Sequence, residues 1–331
     1  MTQVRFGIFT DLHVDIMHDC ARRLRAFLDA ARAADVDFII QLGDFCYPDE
    51  NRRCVCSPEL QPVNIRNALA APADTDKDAI RRMFREFERP AYSVIGNHDL
   101  DLCTHDEMLR FYGMDAPYYS FDCGGIHFVA LDANYCFVDG KYVPYDNGVY
   151  FTWSDRKPAP LPYLPDHELA WLEQDLRAAQ APSVLFSHQM LRQGDLKNWQ
   201  ALHAILRAAP HPVILSANGH LHKDNVCRIG DTWFWNVNSM SNYWLGEAYE
   251  TMRYDPQTDA RFPNLRYVAP YRDPLYAIVT ITDGVIDIRG PKSEFVGPAP
   301  AEMGVPMDSW EDIVSPSVTD YSLSWRRRAH P

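Results

Sequence analysis

Five short fragments constrain this chain more than anything else in it. They are Asp11-Leu12-His13, Gly43-Asp44, Gly96-Asn97-His98-Asp99, a lone His188, and Gly219-His220-Leu221-His222. Each stands where an apolar, strand-like run ends. Ligands in an α/β sheet gather at the carboxyl ends of strands, so residues as distant as Asp11 and His220 are expected at one edge. Together the fragments supply Asp11, Asp44 and Asp99, one asparagine (Asn97) and the histidines 13, 98, 188, 220 and 222. That is enough to hold two metal ions and leave a proton donor over. One such fragment arises by chance in many proteins, but five in this order do not.

The runs between the fragments alternate in character. Residues 4–10 read as a buried strand, 20–34 as a helix with Leu24, Phe27, Leu28 and Ala31 on one stripe, and 36–42 as a second strand. A loop rich in Pro, Asn and Asp follows, then a helix over 76–88 and a strand over 91–95. Residues 118–122 and 126–131 read as an antiparallel pair joined through Gly124-Gly125. The second half predicts helices over 166–179 and 196–208 and strands over 183–187 and 213–217. Strands over 226–229, 232–237, 275–281 and 285–289 complete it. Alternating β and α runs followed by meandering strands point to two stacked sheets with helices outside. With no internal repeat and no low-complexity linker, residues 1–331 are expected to form one domain. Residues 134–165 and 242–274 are read as loop-like insertions rich in Pro, Tyr and Trp, too long for plain turns. Such loops border an active site, pack on one another or form a dimer contact. A C-terminal extension over 290–331 has no assigned role.

Composition narrows the function classes. The 331 residues are 47% apolar and carry a formal charge of −13, the wrong balance for a broad nucleic-acid or anionic-membrane surface. A phosphate substrate is compatible, because bound metals reverse the sign locally. The Arg326-Arg327-Arg328 run is too short for a nucleic-acid footprint. No apolar stretch reaches the roughly 18 residues of a transmembrane helix. The strand-like start leaves no leader-like segment, so a cytoplasmic location is expected. Among eight cysteines, Cys46, Cys54 and Cys56 cluster without the C-x-x-C spacing of a zinc site, and reduced, partly buried thiols are expected.

Carboxylate, imidazole and amide oxygen together suit manganese, iron or zinc. The i, i+2 spacing in Asp11/His13 and His220/His222 lets two side chains of an extended segment point the same way. A carboxylate can bridge two ions, and Asp44 is the natural candidate. Two ions about 3.5–4 Å apart can clamp a phosphate and activate a shared water. No side-chain nucleophile is then required, and no G-x-S-x-G, Walker loop or G-x-G-x-x-G is present.

With D-L-H, G-D, G-N-H-D, S-H and G-H-L-H in order over about residues 4–240, the chain resembles the calcineurin-like metallophosphoesterase superfamily. Its signature is D-x-H, G-D, G-N-H-[DE], a lone histidine after a strand, and G-H-x-H. The resemblance implies a four-layered α/β-β/α sandwich of two mixed sheets flanked by helices, with a dinuclear metal centre. It implies that Asp11, His13 and His222 hold the first metal and Asn97, His188 and His220 the second, with Asp44 bridging. His98 would stay off the metals, contact the phosphate and protonate the leaving oxygen. The implied enzyme is a hydrolase that cleaves a phosphodiester or phosphomonoester of a small nucleotide-like substrate, with a metal-bridged hydroxide as nucleophile.

In look the chain is closest to bacterial cyclic-nucleotide phosphodiesterases and related nucleotide-diphosphate hydrolases. A phosphatase of sugar or other small phosphates is an alternative. A non-catalytic scaffold would be expected to lose ligands, and this chain keeps them all. A phosphoprotein phosphatase is disfavoured, because residues 43–49 lack the aspartate and arginine of G-D-x-x-D-R-G. Tyr47 fits the G-D-x-x-Y of purple acid phosphatases, but those carry no counterpart of His13, so Tyr47 is expected beside the metals rather than on them. Asn236, Asn238 and Ser239 either lie over the site or close a polar turn. Trp153, Tyr163, Tyr243 and Trp244 either stack on a substrate ring or anchor their loops.

Overall fold

The computed structural model describes residues 3–71, 76–153, 161–306 and 314–325. The Arg326-Arg327-Arg328 run and the side chain of Trp153 lie outside the described residues. Strands β1 (Gln3–Phe9) and β2 (Phe38–Gln41) run parallel, joined by helix α1 (Cys20–Ala33). Helices α2 (Val63–Ala70) and α3 (Asp76–Arg85) precede β3 (Ala91–Ser93), which pairs parallel with β2. Helix α4 (His105–Tyr112) leads to the antiparallel pair β4 (Tyr119–Cys123) and β5 (Ile126–Ala130) and to the hairpin β6 (Tyr135–Val138) with β7 (Lys141–Pro144).

Helix α5 (Asp166–Ala178), β8 (Ser183–Ser187), α6 (Trp199–Ala208) and β9 (Val213–Asn218) follow, with β5, β8 and β9 parallel. Next come β10 (Asn225–Ile229) and β11 (Thr232–Asn236), then β12 (Asn242–Trp244) paired with β13 (Val268–Pro270) around α7 (Pro256–Arg261). Strand β14 (Ala277–Thr282) returns antiparallel to β1, and β15 (Val285–Arg289) and β16 (Tyr321–Ser324) each add antiparallel to the strand before.

Two mixed six-stranded sheets result, ordered β16-β15-β14-β1-β2-β3 and β10-β11-β9-β8-β5-β4. Strands β2, β5, β8 and β9 are buried along their whole length because both faces of their sheets are covered. Val4, Phe6, Ile8, Phe38 and Ile40 of the first sheet meet Phe128, Phe186, Ile214 and Trp235 of the second. Phe6 stacks on Phe38 at 5.0 Å and meets Phe128 and Phe186 edge-on at 5.7 Å. On the outer face of the first sheet, Phe9 packs on Phe27 of α1 and Phe84 of α3. On the outer face of the second, Val129, Leu185 and Val213 pack under Leu169, Leu172 and Leu176 of α5 and Leu202 of α6. The four layers follow from these three apolar contacts.

Reading residues 134–165 and 242–274 as loops needs correction, because each contains a pair of strands: β6–β7 in the first and β12–β13 in the second. The alternation in Tyr135–Val138 is too short to stand out from its Tyr- and Pro-rich surroundings. Helix α4 also escapes periodicity, although it carries a legible start signal: Thr104 and Glu107 form a capping box and Gly113 closes the helix in the left-handed region. The 290–331 extension contributes β16 to the first sheet's edge. All eight cysteines are free thiols, so no disulfide joins Cys46, Cys54 and Cys56. Among the described residues no helix is long and apolar enough to cross a membrane.

Candidate metal centre

Strands β1, β2 and β3 of one sheet and β8 and β9 of the other end at a common edge, and the five fragments follow those ends. Asp11, His13 and His222 form one group of potential ligands, and Asp44, His188 and His220 a second; within each group the ligand atoms lie within 4.8 Å of one another. The loops turn sharply to do this. Among the described residues eight non-glycine residues have positive φ, and Asp11, His13, Asp44, His220 and His222 are five of them. Left-handed backbone at side chains other than glycine concentrates at functional sites, where the surrounding structure offsets the strain. Two glycines permit the close approach of the loops: a Cβ on Gly96 would strike the Asp44 carboxylate and backbone nitrogen, and one on Gly219 would strike Thr10 and Asp11.

Backbone carbonyls fix which ring nitrogen two of these histidines present. His188 Nδ1 donates to the Leu42 carbonyl at 2.8 Å, and His222 Nδ1 to the Asn242 carbonyl at 2.6 Å. Each ring therefore turns Nε2 into the site. There His188 Nε2 faces Asp44 Oδ2 at 3.0 Å and His222 Nε2 faces Asp11 Oδ1 at 3.1 Å. Each pair sets an imidazole nitrogen against a carboxylate oxygen with room for a cation or a proton between them. Asp11 Oδ1, His188 Nε2 and Asn97 Oδ1 are buried and make no hydrogen bond, which is costly unless a cation joins them. A proton can fill one such gap: burial opposes charging His188, but the Asp44 carboxylate beside it raises the ring to about 9. Asn97 offers an amide oxygen, for which only a cation or a donor will serve. The donor set fits two divalent ions.

The remaining oxygens are held in place. Asp11 Oδ2 accepts from Thr10 Oγ1 at 2.6 Å and from the His220 backbone N–H at 3.1 Å. Asp44 Oδ1 accepts the His98 backbone N–H at 2.7 Å, while Oδ2 lies 3.0 Å from His188 and 3.9 Å from His13. Asp44 thus stands between the two ligand groups. Burial would raise both carboxyls, but His222 holds Asp11 below the usual range and His188 does the same for Asp44. Both are ionised, as metal ligation requires. Asp99, which the motif reading left without a role, accepts from the backbone N–H groups of Asp44, Phe45 and Gly96 and ties two ligand loops together.

His98 stands beside the ligands with its side chain 31% exposed. Its Nδ1 lies 2.9 Å from Asp101 Oδ2 and 2.9 Å from the Tyr150 hydroxyl. Burial disfavours the imidazolium, but Asp101 and then Asp44 outweigh it and raise His98 to about 10. The ring's free Nε2 is left for the cavity of about 400 Å³ that opens over the site. His13, Asp44, His98, His220 and His222 form its floor, and Phe151, Tyr243, Trp244, Pro62 and Leu221 its walls. Both insertions therefore reach the site, the first through Phe151 and the second through Asn242, Tyr243 and Trp244.

Other expected residues lie elsewhere. Asn236 pairs with Asn218, Asn238 binds the carbonyls of Ser315 and Ser317, and Ser239 donates to the Asp11 carbonyl. They brace the backbone and do not cover the site. Tyr163 packs on Phe137 and Tyr142 of the hairpin, away from the cavity. Tyr47 is buried with the Lys77 ammonium 3.8 Å above its ring. Tyr150 and Asp101 are neighbours of His98 that the motifs do not reveal.

No curated protein matches the chain in sequence. Among solved structures it is similar to a dimetal phosphatase from Danio rerio, at 15% identity and a TM-score of 0.59 over 88% of this chain and 98% of that one. It is also similar to GAP50 of Plasmodium, the anchor in the inner membrane complex, at 11% identity and a TM-score of 0.49 over 99% and 91% of the two chains. At 15% identity the likeness to the dimetal phosphatase is one of fold. The family model for calcineurin-like phosphoesterases matches residues 4–224, a span that begins in β1, ends just past His222 and contains all five fragments. On that match the chain belongs to the calcineurin-like phosphoesterase family.

Proposed function

We propose that the protein hydrolyses a small phosphodiester, with Asp11, His13 and His222 holding one metal ion, Asn97, His188 and His220 a second, and Asp44 shared between them. The observation that carries this reading is the gathering of Asn97 Oδ1 and Asp11 Oδ1, buried and without a hydrogen bond, with imidazole–carboxylate pairs in which His188 Nε2 stands 3.0 Å from Asp44 Oδ2 and His222 Nε2 3.1 Å from Asp11 Oδ1. When bound, two such ions polarise phosphoryl oxygens and make water nucleophilic near neutral pH. His98, beside them, donates through Nε2 to the oxygen that leaves phosphorus.

The cavity supports a diester over a monoester. Among the described residues lining it, Lys223 is the only lysine or arginine. Beyond the metals the cavity thus offers only Lys223 and the His98 imidazolium as cations, and a singly charged diester needs less compensation than a doubly charged monoester. Phe151, Tyr243 and Trp244 offer apolar faces to a substituent such as a nucleobase. The expected result, after metal removal and refilling with manganese, iron or zinc, is hydrolysis of bis-p-nitrophenyl phosphate in preference to p-nitrophenyl phosphate. Activity in the stripped protein would contradict the metal-dependent reading. A clear preference for the monoester would move the assignment to a phosphatase of small phosphates.

A further inference from the structure

The cavity over the candidate metal centre has one wall that the motifs leave unassigned, the N-terminal turn of α2. Pro62 and Asn64 line the cavity there, together with Tyr243 and Trp244 of β12. Asn64 is only 4% exposed, yet its side-chain amide has no hydrogen-bond partner among the described residues. Buried polar groups are nearly always paired, so an unpaired amide on a cavity wall is aimed at whatever enters. The turn around it donates as well. Helix α2 has no side-chain cap and no acidic residue in its first turn. Ile65 and Arg66 N–H donate to the Pro62 carbonyl, which leaves the N–H groups of Val63 and Asn64 without a partner in the helix. Lys223 adds a further donor, whereas the Asn242 Oδ1 acceptor is itself buried.

This wall and the aromatic one are tied to each other. Asn264, in the same insertion as β12, donates through Nδ2 to the Asn64 carbonyl at 3.4 Å and accepts from Asn67 Nδ2 at 2.8 Å. Ile65 of α2 packs in one core with Leu265 and Val268, and Val268 pairs with Trp244 across β12 and β13. The spacing between Asn64 and the β12 rings is therefore set by the fold. Tyr243 and Trp244 touch no other aromatic ring among the described residues, and Trp244 is 37% exposed. An exposed indole in the same cavity as an unpaired amide suits a flat ring that carries its own hydrogen-bonding edge.

We propose that Asn64 is a specificity-determining residue that reads the edge of a nucleobase on the substrate and selects bases with a carbonyl beside a ring N–H, as in uracil and hypoxanthine. The proposal rests on the reading of the protein as a hydrolase of small phosphodiesters. Asn64 Nδ2 donates to the base carbonyl, and Oδ1 accepts the ring N–H. Cytosine and adenine present an amino donor where uracil and hypoxanthine present the carbonyl. An amide can turn over to meet an amino group; the backbone N–H groups of α2 cannot. A second phosphate in the same place would bring charge to a cavity whose cations beyond the metals are Lys223 and the His98 imidazolium. A carbonyl brings none.

The test uses metal-saturated protein and the 4-nitrophenyl esters of uridine and cytidine 5′-phosphates, with bis-p-nitrophenyl phosphate beside them. The parent is expected to favour the uridine ester in kcat/KM by about tenfold, within the discrimination that one bidentate amide pair supplies. Asn64→Asp keeps the size of the side chain, suits the first turn of a helix and replaces the donor with an acceptor. It is expected to reverse the ratio, because a carboxylate accepts from the cytosine amino group. Asn64→Leu, which can do neither, is expected to shrink the preference towards one. A parent with no preference or one for cytidine, or variants that keep the parent's ratio, would overturn the role of Asn64. If the parent cleaves none of the three diesters, the diesterase reading fails and takes the base-reading role with it. Cleavage of bis-p-nitrophenyl phosphate beside an unselective pair of nucleoside esters overturns the role of Asn64 alone.

Discussion

Asp44→Asn is expected to abolish diester hydrolysis, with a loss of at least about 10²–10³-fold, since removing even one transition-state hydrogen-bond donor costs that much. The substitution keeps the shape of the side chain and removes its charge. Asp44 Oδ1 accepts the His98 N–H, and an amide oxygen can still do so. Oδ2, which stands 3.0 Å from His188 and 3.9 Å from His13, becomes a neutral atom or an N–H2 group aimed at two imidazoles. Metal content is therefore expected to fall from two ions per chain while the far-ultraviolet circular dichroism stays that of the parent. Full activity in this variant would remove Asp44 from the centre of the mechanism.

The second large effect is expected at Gly96, which touches no substrate. A Cβ there collides with the Asp44 carboxylate and backbone nitrogen, neither of which can retreat. Asp44 N–H and Gly96 N–H are both held by Asp99 Oδ2, at 3.1 and 2.8 Å. Gly96→Ala should therefore force the two ligand loops apart, at an overpacking cost of about 1–3 kcal/mol or more. Thermal unfolding should show a midpoint several degrees lower, and metal titration a weakened second site. A variant with the parent's midpoint and two tight metal sites would show that the loops do not depend on this close approach.

These two residues mark how much a sequence reveals of such a site. Asp44 is legible because a carboxylate after a strand is a property of residue type and position. The same holds for Asp11, His13, His98, His188, His220 and His222, which strand ends bring to one edge. The partners that aim His188 and His222 are the carbonyls of Leu42 and Asn242, and a backbone carbonyl has no signature in sequence. The left-handed backbone at five of the proposed ligands is equally hidden, because no residue but glycine announces it.

Tyr150 lies in a Tyr-rich insertion, where one tyrosine looks like the next until the fold sets one of them against His98. The sheets themselves were legible because β1, β2, β8 and β9 each contain a short, mostly apolar run bounded by polar or turn residues. Short strands such as Tyr135–Val138 and Asn242–Trp244 have too few residues to display a period. Asp99 was visible as part of a motif, but its work, tying three backbone N–H groups of two loops, is purely tertiary.

The central claim is a pair of metal ions sharing Asp44, and it is tested most directly by electron paramagnetic resonance of the protein refilled with manganese, alongside metal analysis. Two manganese ions per chain with an exchange-coupled spectrum are the predicted result, reduced in Asp44→Asn to an uncoupled six-line signal. A parent protein that takes up a single ion, or two ions with no coupling between them, would contradict the account.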